Sequence, residues 1–134
     1  MSDKPLAVVI AALICDGHIL LQKRKRGDYV GLWGLPGGKI ERGEHLSAAA
    51  QREILAETGI NASFKSHLGF VSEILQEQGE VANHFLLHLC ELQCDSMKVT
   101  SNDEGDTAWF ILSKLQELQE ELIPGDYILK VLNI

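Results

Sequence analysis

Two glutamates spaced four residues apart are the side chains of this sequence best suited to chemistry. Glu53 and Glu57 fall within Leu46 to Thr58, a stretch rich in Ala, Leu, Glu, Gln and Arg that contains no Gly or Pro. This composition predicts a helix that ends at Gly59. Four-residue spacing puts both carboxylates on one helix face, about one turn apart. Oxygen ligands of this kind suit Mg²⁺ or Mn²⁺, although a solvated acidic face is the alternative interpretation.

A basic cluster and a glycine-rich segment precede this helix. Lys23 to Arg26 places four cations together, and Gly27 to Gly43 contains six glycines and one proline. Such a composition predicts a loop or short strands rather than a helix. Cations, a glycine-rich loop and carboxylates in succession are typical of a site that holds a small anion together with a metal. Trp33 and Trp109 are interpreted as packing residues rather than as platforms for stacking bases.

The segment from Gly38 to Ile60 resembles the Nudix box, G-x5-E-x7-R-E-U-x-E-E-x-G-U, where U is aliphatic. It matches eight of the nine specified positions. Leu20 to Arg24, Leu32 to Glu41 and Ala108 to Leu115 are also similar to the sequences that surround the box in this family, so the resemblance covers nearly the whole chain. It identifies the chain as a MutT-like Nudix hydrolase. One position departs, because Ala56 stands where the family has a glutamate. This departure implies fewer ions, more weakly bound ions or an acid recruited from elsewhere in the chain.

The resemblance implies a metal site at the start and end of the box. Glu53 and Glu57 are implied as metal ligands and catalytic groups, and the backbone carbonyl of Gly37 as a third ligand. Gly38 would let the backbone turn tightly and approach the metal. The implied cofactor is Mg²⁺, with Mn²⁺ as the alternative.

The resemblance also implies two supporting catalytic residues and two candidates for the general base. Glu44 is similar to the structural acid that pairs with Arg52 and thereby orients Glu53. Glu53 is the first candidate for the general base, and Glu104 is the second, since many relatives carry an extra acid in that loop. The reserve acids of the same loop are Asp103 and Asp106.

Substrate binding is expected near the basic cluster and the glycine pair. Arg24 resembles a family position that contacts phosphate, and its guanidinium fork fits phosphate oxygens. Gly37, Gly38 and Lys39 are the other substrate-binding candidates. The neighbours of Arg24 are interpreted as solvated or accessory, because alternate residues of a strand point to opposite faces.

The implied reaction is metal-assisted attack of water on phosphorus, which cleaves a phosphoanhydride bond in a nucleoside diphosphate derivative. A nucleoside triphosphate is the favoured substrate, because Ile74 to Gln78 lacks the Tyr or Pro that often marks dinucleoside polyphosphate and ADP-ribose enzymes. An ADP-ribose or nucleotide-sugar pyrophosphatase is the alternative. Ala56 motivates a rival of another class, a non-catalytic domain that binds a nucleotide.

The sequence predicts strands interleaved with helices, and therefore a mixed sheet packed between helices. The resemblance implies the Nudix fold, an α/β/α sandwich with a central mixed sheet, formed by a single domain over residues 1–134. Turn residues Asp16-Gly17 and Gln78-Gly79 predict two hairpins. The predicted strands are Leu6 to Ile14, His18 to Lys25, Phe64 to Gln76, Val81 to Gln93 and Ala108 to Leu112, and the predicted later helices are Ser113 to about Leu122 and Asp126 to Leu132.

Composition limits the other function classes. A net charge of −7 with a pI near 5.1 argues against binding a nucleic-acid polymer, which requires clustered cations. No apolar run is long enough to span a membrane, and no secretion signal is recognisable, so a cytoplasmic location is expected. Small relatives are often dimers, which makes a homodimer a candidate assembly. Three cysteines without metal-site spacing are expected to be reduced thiols: Cys15, Cys90 and Cys94.

Overall fold

The computed structural model describes residues 4–27, 29–100 and 106–124. Within these ranges no helix is long and apolar enough to cross a membrane. In chain order the elements are β1 (Leu6–Cys15), β2 (His18–Lys23), β3 (Trp33–Gly34), β4 (Gly37–Lys39), helix α1 (Leu46–Thr58), β5 (Ser63–Glu77), β6 (Glu80–Gln93), β7 (Thr107–Ile111) and a 3₁₀ helix (Leu112–Glu121).

The sheet is mixed and is organised around β1. This strand pairs in parallel with β6 along its length, and β6 pairs antiparallel with β5, the outer strand. On its other edge β1 contacts β2 only near the turn, at Ile14 and Cys15, and it pairs with β4 at Val8 to Ile10. Strand β2 diverges from β1 and pairs with β3 and β7 instead.

Alternating side chains of β1 form two cores, one on each face of the sheet. Val9, Ala11 and Leu13 pack on one face with the inner side of α1. Ala12 packs on the other face with residues of β2 and of the 3₁₀ helix. The described residues therefore form three layers, which confirms the expected sandwich around a mixed sheet. The α1 residues of the first core are Ala49, Ala50 and Ile54, and the 3₁₀-helix side contributes Leu115 and Leu122 to the second.

Most predicted elements are confirmed, and one is wrong in type. Helix α1 has the predicted bounds, with Gly59 in the left-handed conformation after it. The segment predicted as a second α-helix is a 3₁₀ helix, with non-helical dihedrals at Leu118. Past its end, the backbone N–H of Ile123 donates to the carbonyl of Trp33, which holds the chain extended against β3. The helix predicted at 126–132 lies outside the described residues.

Candidate active site

An ion-pair network joins the loop before α1 to the helix itself. The guanidinium of Arg52 binds both oxygens of Glu44, with Nε–Oε2 and Nη2–Oε1 distances of 2.8 and 3.0 Å. The same guanidinium donates from Nη1 to Glu53 Oε1 at 2.8 Å and from Nη2 to the Lys39 carbonyl at 3.0 Å. The expected pair between Glu44 and Arg52 is therefore present. One arginine fixes the loop, the end of β4 and the carboxylate of Glu53 relative to one another.

The charges of this network stabilise one another. Hydrogen bonds from Arg52, together with a backbone hydrogen bond at Glu41, lower the pKa of Glu44 from its ordinary value to about 2. The pKa of Arg52 is raised, chiefly by its hydrogen bonds to Glu44. Bidentate pairing of arginine with a carboxylate also restricts geometry more than a single contact does. Arg52 and Glu44 therefore form a charged pair at neutral pH, and the same guanidinium restrains the carboxylate of Glu53 through the bond from Nη1.

Glycine is required at two consecutive positions beside this network. A Cβ atom at Gly38 would collide with the carboxylate of Glu53, and a Cβ atom at Gly37 would collide with the carbonyl oxygen of Val9 on the neighbouring strand. Neither glycine has a positive φ, so close approach rather than backbone conformation excludes a side chain. The Glu53 carboxylate thus lies directly against the backbone of β4.

The second carboxylate of α1 is buried near the end of the helix. Glu57 is 3% exposed, and burying a carboxylate is costly unless hydrogen bonds or a cation compensate for its lost hydration. The helix end is fixed by Thr58, whose hydroxyl donates to the Ile54 carbonyl and accepts from the N–H of Ile60. Ala56 is exposed and contributes no carboxylate.

The carboxylates of α1 are the groups of this site that could bind a divalent cation. Within residues 4–27, 29–100 and 106–124, no group of three or more His, Cys, Asp or Glu side chains could hold a metal. Two carboxylates are available, one buried and one held against β4. Mg²⁺ is commonly bound by one or two carboxylates and completes its shell with water and substrate phosphates. Glu53 and Glu57 therefore fit a cation that shares its coordination with a phosphate substrate.

A cavity of about 390 Å³ is lined by residues of β1, β2, β4, β5 and β6. Its volume is within the usual range for small-molecule sites, roughly 300–1,000 Å³. Val8, Ile10 and Leu87 give it an apolar floor, while Gly37 and Gly38 form its edge toward the carboxylates. Polar groups occupy its walls. They are Gln22, Arg24, Glu73 and Asn83.

Three of these wall residues were not predicted from the sequence. Gln22, Glu73 and Asn83 lie on β2, β5 and β6, so only the sheet brings them together. One local signal existed at Gln22, because this polar residue directly follows three buried apolar residues in the same strand. No comparable signal marks Glu73, which is one of several polar residues of β5.

The substrate-binding candidates fall in different places. Arg24 lies at the cavity, and its backbone bonds to Leu32 and Gly31 close the loop that follows β2. Lys39 is exposed, and its carbonyl accepts from Arg52. Glu104 and Asp103 lie outside the described residues. Asp106 is described, and its carboxylate lies 3.5 Å from the exposed Lys25 ammonium.

The fold and the site define a class of α/β sandwich protein in which a glycine-rich strand and the following helix present carboxylates beside a ligand cavity. A family model for the NUDIX domain matches residues 4–130. The chain belongs to the Nudix family.

Relatives agree with this assignment. An ADP-ribose pyrophosphatase of Methanocaldococcus jannaschii is 32% identical over 127 residues, which cover 92% of this chain and 73% of that protein. A CTP pyrophosphohydrolase of Escherichia coli is 32% identical over 124 residues, covering 92% and 87%. The crystal structure of a MutT protein from Methanosarcina mazei matches with a TM-score of 0.75 and 26% identity, covering 98% of this chain and 93% of that one.

The family sets the general chemistry. Nudix hydrolases are pyrophosphohydrolases that act on small nucleotide substrates and generally use a divalent metal. Its MutT-like members are among the relatives of this chain.

Proposed function

We propose that this protein is a Mg²⁺-dependent hydrolase of nucleoside triphosphates that releases a nucleoside monophosphate and pyrophosphate. One observation carries the proposal: the cavity and the carboxylates meet at a single residue. Gly38 lines the cavity, and it also lies against the carboxylate of Glu53. A nucleoside in the cavity would therefore extend its phosphates over β4 toward Glu53 and Glu57.

Each residue of the site has a defined part in this reaction. Glu53 and Glu57 would hold the cation, and the Gly37 carbonyl would be an additional ligand. A divalent ion at this site would neutralise phosphate charge and activate water. Arg52 and Glu44 are positioning residues, because they contact Glu53 and the loop rather than the cavity. Mn²⁺ is expected to support the reaction in place of Mg²⁺.

Phosphate binding and proton removal involve residues outside the helix. Arg24 lies at the cavity wall, where its guanidinium can bind phosphate oxygens in a bidentate manner. Lys39 follows the glycine pair and adds a second cation near the phosphates. Two acids are candidates for the general base that accepts a proton from water, Glu53 and Glu104. Attack of water on phosphorus breaks the anhydride bond, and pyrophosphate leaves.

A second candidate substrate is ADP-ribose. It is favoured by the relative from Methanocaldococcus jannaschii that carries this activity in its name and covers 92% of the chain. The same carboxylates would serve, since ADP-ribose contains the same type of anhydride bond. The two substrates differ in their products, because ADP-ribose yields AMP and ribose 5-phosphate rather than pyrophosphate.

The test is hydrolysis of a substrate panel with Mg²⁺, Mn²⁺ or EDTA, with products identified by chromatography. The panel contains nucleoside triphosphates, ADP-ribose and dinucleoside polyphosphates. We expect metal-dependent release of pyrophosphate from triphosphates by the wild type and its loss in Glu57→Gln. Glu80→Gln, at the exposed start of β6, is the matched control and should retain activity. Nucleotide binding without turnover would contradict the proposal and support the non-catalytic domain that Ala56 suggests.

A further inference from the structure

One buried amide on the cavity wall has an unused hydrogen-bonding group. The Nε2 atom of Gln22 is buried and has no hydrogen-bond partner among the described residues. A buried donor without an acceptor is destabilising, and such groups in native structures need an explanation. Gln22 lines the cavity, so a ligand in that cavity can supply the acceptor.

The cavity wall formed by β5 and β6 carries a hydrogen-bond acceptor rather than a donor. Glu73 of β5 is paired with Phe85 of β6 and lines the same cavity. Its side chain makes no ion pair or hydrogen bond with another side chain in the described part of the protein. An ionised carboxylate can only accept hydrogen bonds. The cavity thus offers a donor from β2 and an acceptor from β5 above an apolar floor.

This combination matches one nucleobase better than the others. Guanine presents two neighbouring acceptors, N7 and O6, and on its adjoining edge two neighbouring donors, N1–H and the N2 amino group. A carboxylate can accept from both donors at once. Adenine has only its single N6 amino donor group, and uracil and cytosine present no pair of neighbouring donor groups.

We propose that Gln22 and Glu73 are specificity-determining residues that select a guanine base. Gln22 donates to O6 or N7, and Glu73 accepts from N1–H and the N2 amino group. The inference rests on the proposed function, in which the nucleoside occupies the cavity and the phosphates extend toward Glu53. It adds the identity of the base, which neither the family nor the reaction determines.

The experiment measures kcat/KM for GTP, ITP, ATP, CTP and UTP with Mg²⁺. ITP is informative because hypoxanthine retains N7, O6 and N1–H but lacks the N2 amino group. We expect GTP to be preferred over ATP by at least about tenfold, and over ITP by a similar factor, since a hydrogen bond to a charged group contributes about 1.5–3 kcal/mol. Glu73→Gln should bring the GTP and ITP values together.

The variants at Gln22 separate the two contacts. Gln22→Leu should lower kcat/KM for GTP and ITP alike by about tenfold, because both bases carry N7 and O6. Gln22→Glu should lower them further, since an acceptor would then face acceptors. The matched controls are Gln93→Leu and Glu80→Gln, at exposed positions outside the cavity. Circular dichroism and thermal unfolding verify folding, and Gln22→Met replaces Gln22→Leu if the latter does not fold.

Two results would overturn the inference. One is an equal kcat/KM of the wild type for ATP and GTP. The other is that the cavity variants change kcat/KM for all five substrates by the same factor. If no triphosphate is hydrolysed, the proposed function fails instead. Binding of GMP against AMP, measured by calorimetry without turnover, then decides the base preference separately. Equal affinities would reject it.

Discussion

Replacing Gly38 by alanine is expected to separate activity from stability. The added Cβ atom collides with the Glu53 carboxylate, and ordinary contact requires a separation of roughly 3.5–4.0 Å, so the carboxylate must withdraw by roughly 1 Å. A displacement of that size at a catalytic group can reduce the rate about a hundredfold. The carboxylate is the end of a flexible side chain and its ion pair with Arg52 is partly exposed, so we expect its displacement to change the free energy of unfolding by less than about 1 kcal/mol.

The assay compares kcat/KM for nucleoside triphosphate hydrolysis with urea unfolding for the same preparations. Gly43→Ala is the matched control, since a Cβ at Gly43 has nothing within 4 Å but its φ of 82° is unfavourable for alanine by about 1–2 kcal/mol. The control Gly43→Ala should lose stability and keep activity, whereas Gly38→Ala should keep its stability and lose activity. Wild-type kcat/KM in Gly38→Ala would refute the claim that contact between Gly38 and Glu53 positions the carboxylate.

Three further predictions concern the network, the metal site and the helix end. Because the pKa of Glu44 is lowered to about 2, the stability it contributes is present at neutral pH and is lost as pH falls below about 4.3. The free energy of unfolding in urea, measured from pH 7 to 2.5, should therefore decline less for Glu44→Gln than for the wild type. The same pH dependence in both proteins would contradict the ion pair. Ala56→Glu adds a carboxylate on the same helix face as Glu53 and should strengthen Mn²⁺ binding in the absence of nucleotide by about tenfold. The affinity is measured by electron paramagnetic resonance. Equal Mn²⁺ affinities of the variant and the wild type would argue against a metal site near α1. Thr58→Val removes the acceptor for the Ile60 N–H and should cost about 1–3 kcal/mol in thermal unfolding with kcat/KM retained at low temperature.

Local patterns in the sequence were sufficient to predict most elements of the fold. Helix α1 and both hairpin turns were predicted at their observed positions, because helix propensity and turn chemistry act over a few residues. The 3₁₀ helix was mistaken for an α-helix because Leu115, Leu118 and Leu122 have helical spacing. Directly after this helix, Leu122 and Ile123 contact Trp33 of β3, and leucine spacing carries no information about a contact so distant in sequence.

The candidate site was predictable where its residues are close in sequence. Glu44, Arg52, Glu53 and Glu57 all lie within the box, so a motif can identify them together. The wall residues Gln22 and Glu73 come from strands that the fold brings to one cavity, and no short pattern relates them. The strand order, rather than any local feature, brings them to one cavity.

The central position of β1 has a consequence for how the protein folds during synthesis. The four box residues have all been made once the ribosome passes residue 60, yet β1 and its parallel partner β6 close a loop that ends only at Gln93. Pairing across such a separation is slow, because the entropy of loop closure is lost before the contacts form. Until β6 is complete, α1 has only part of the surface on which it packs. A substitution that weakens the β1–β6 pairing should therefore delay the appearance of activity in refolding even where it leaves every box residue unchanged.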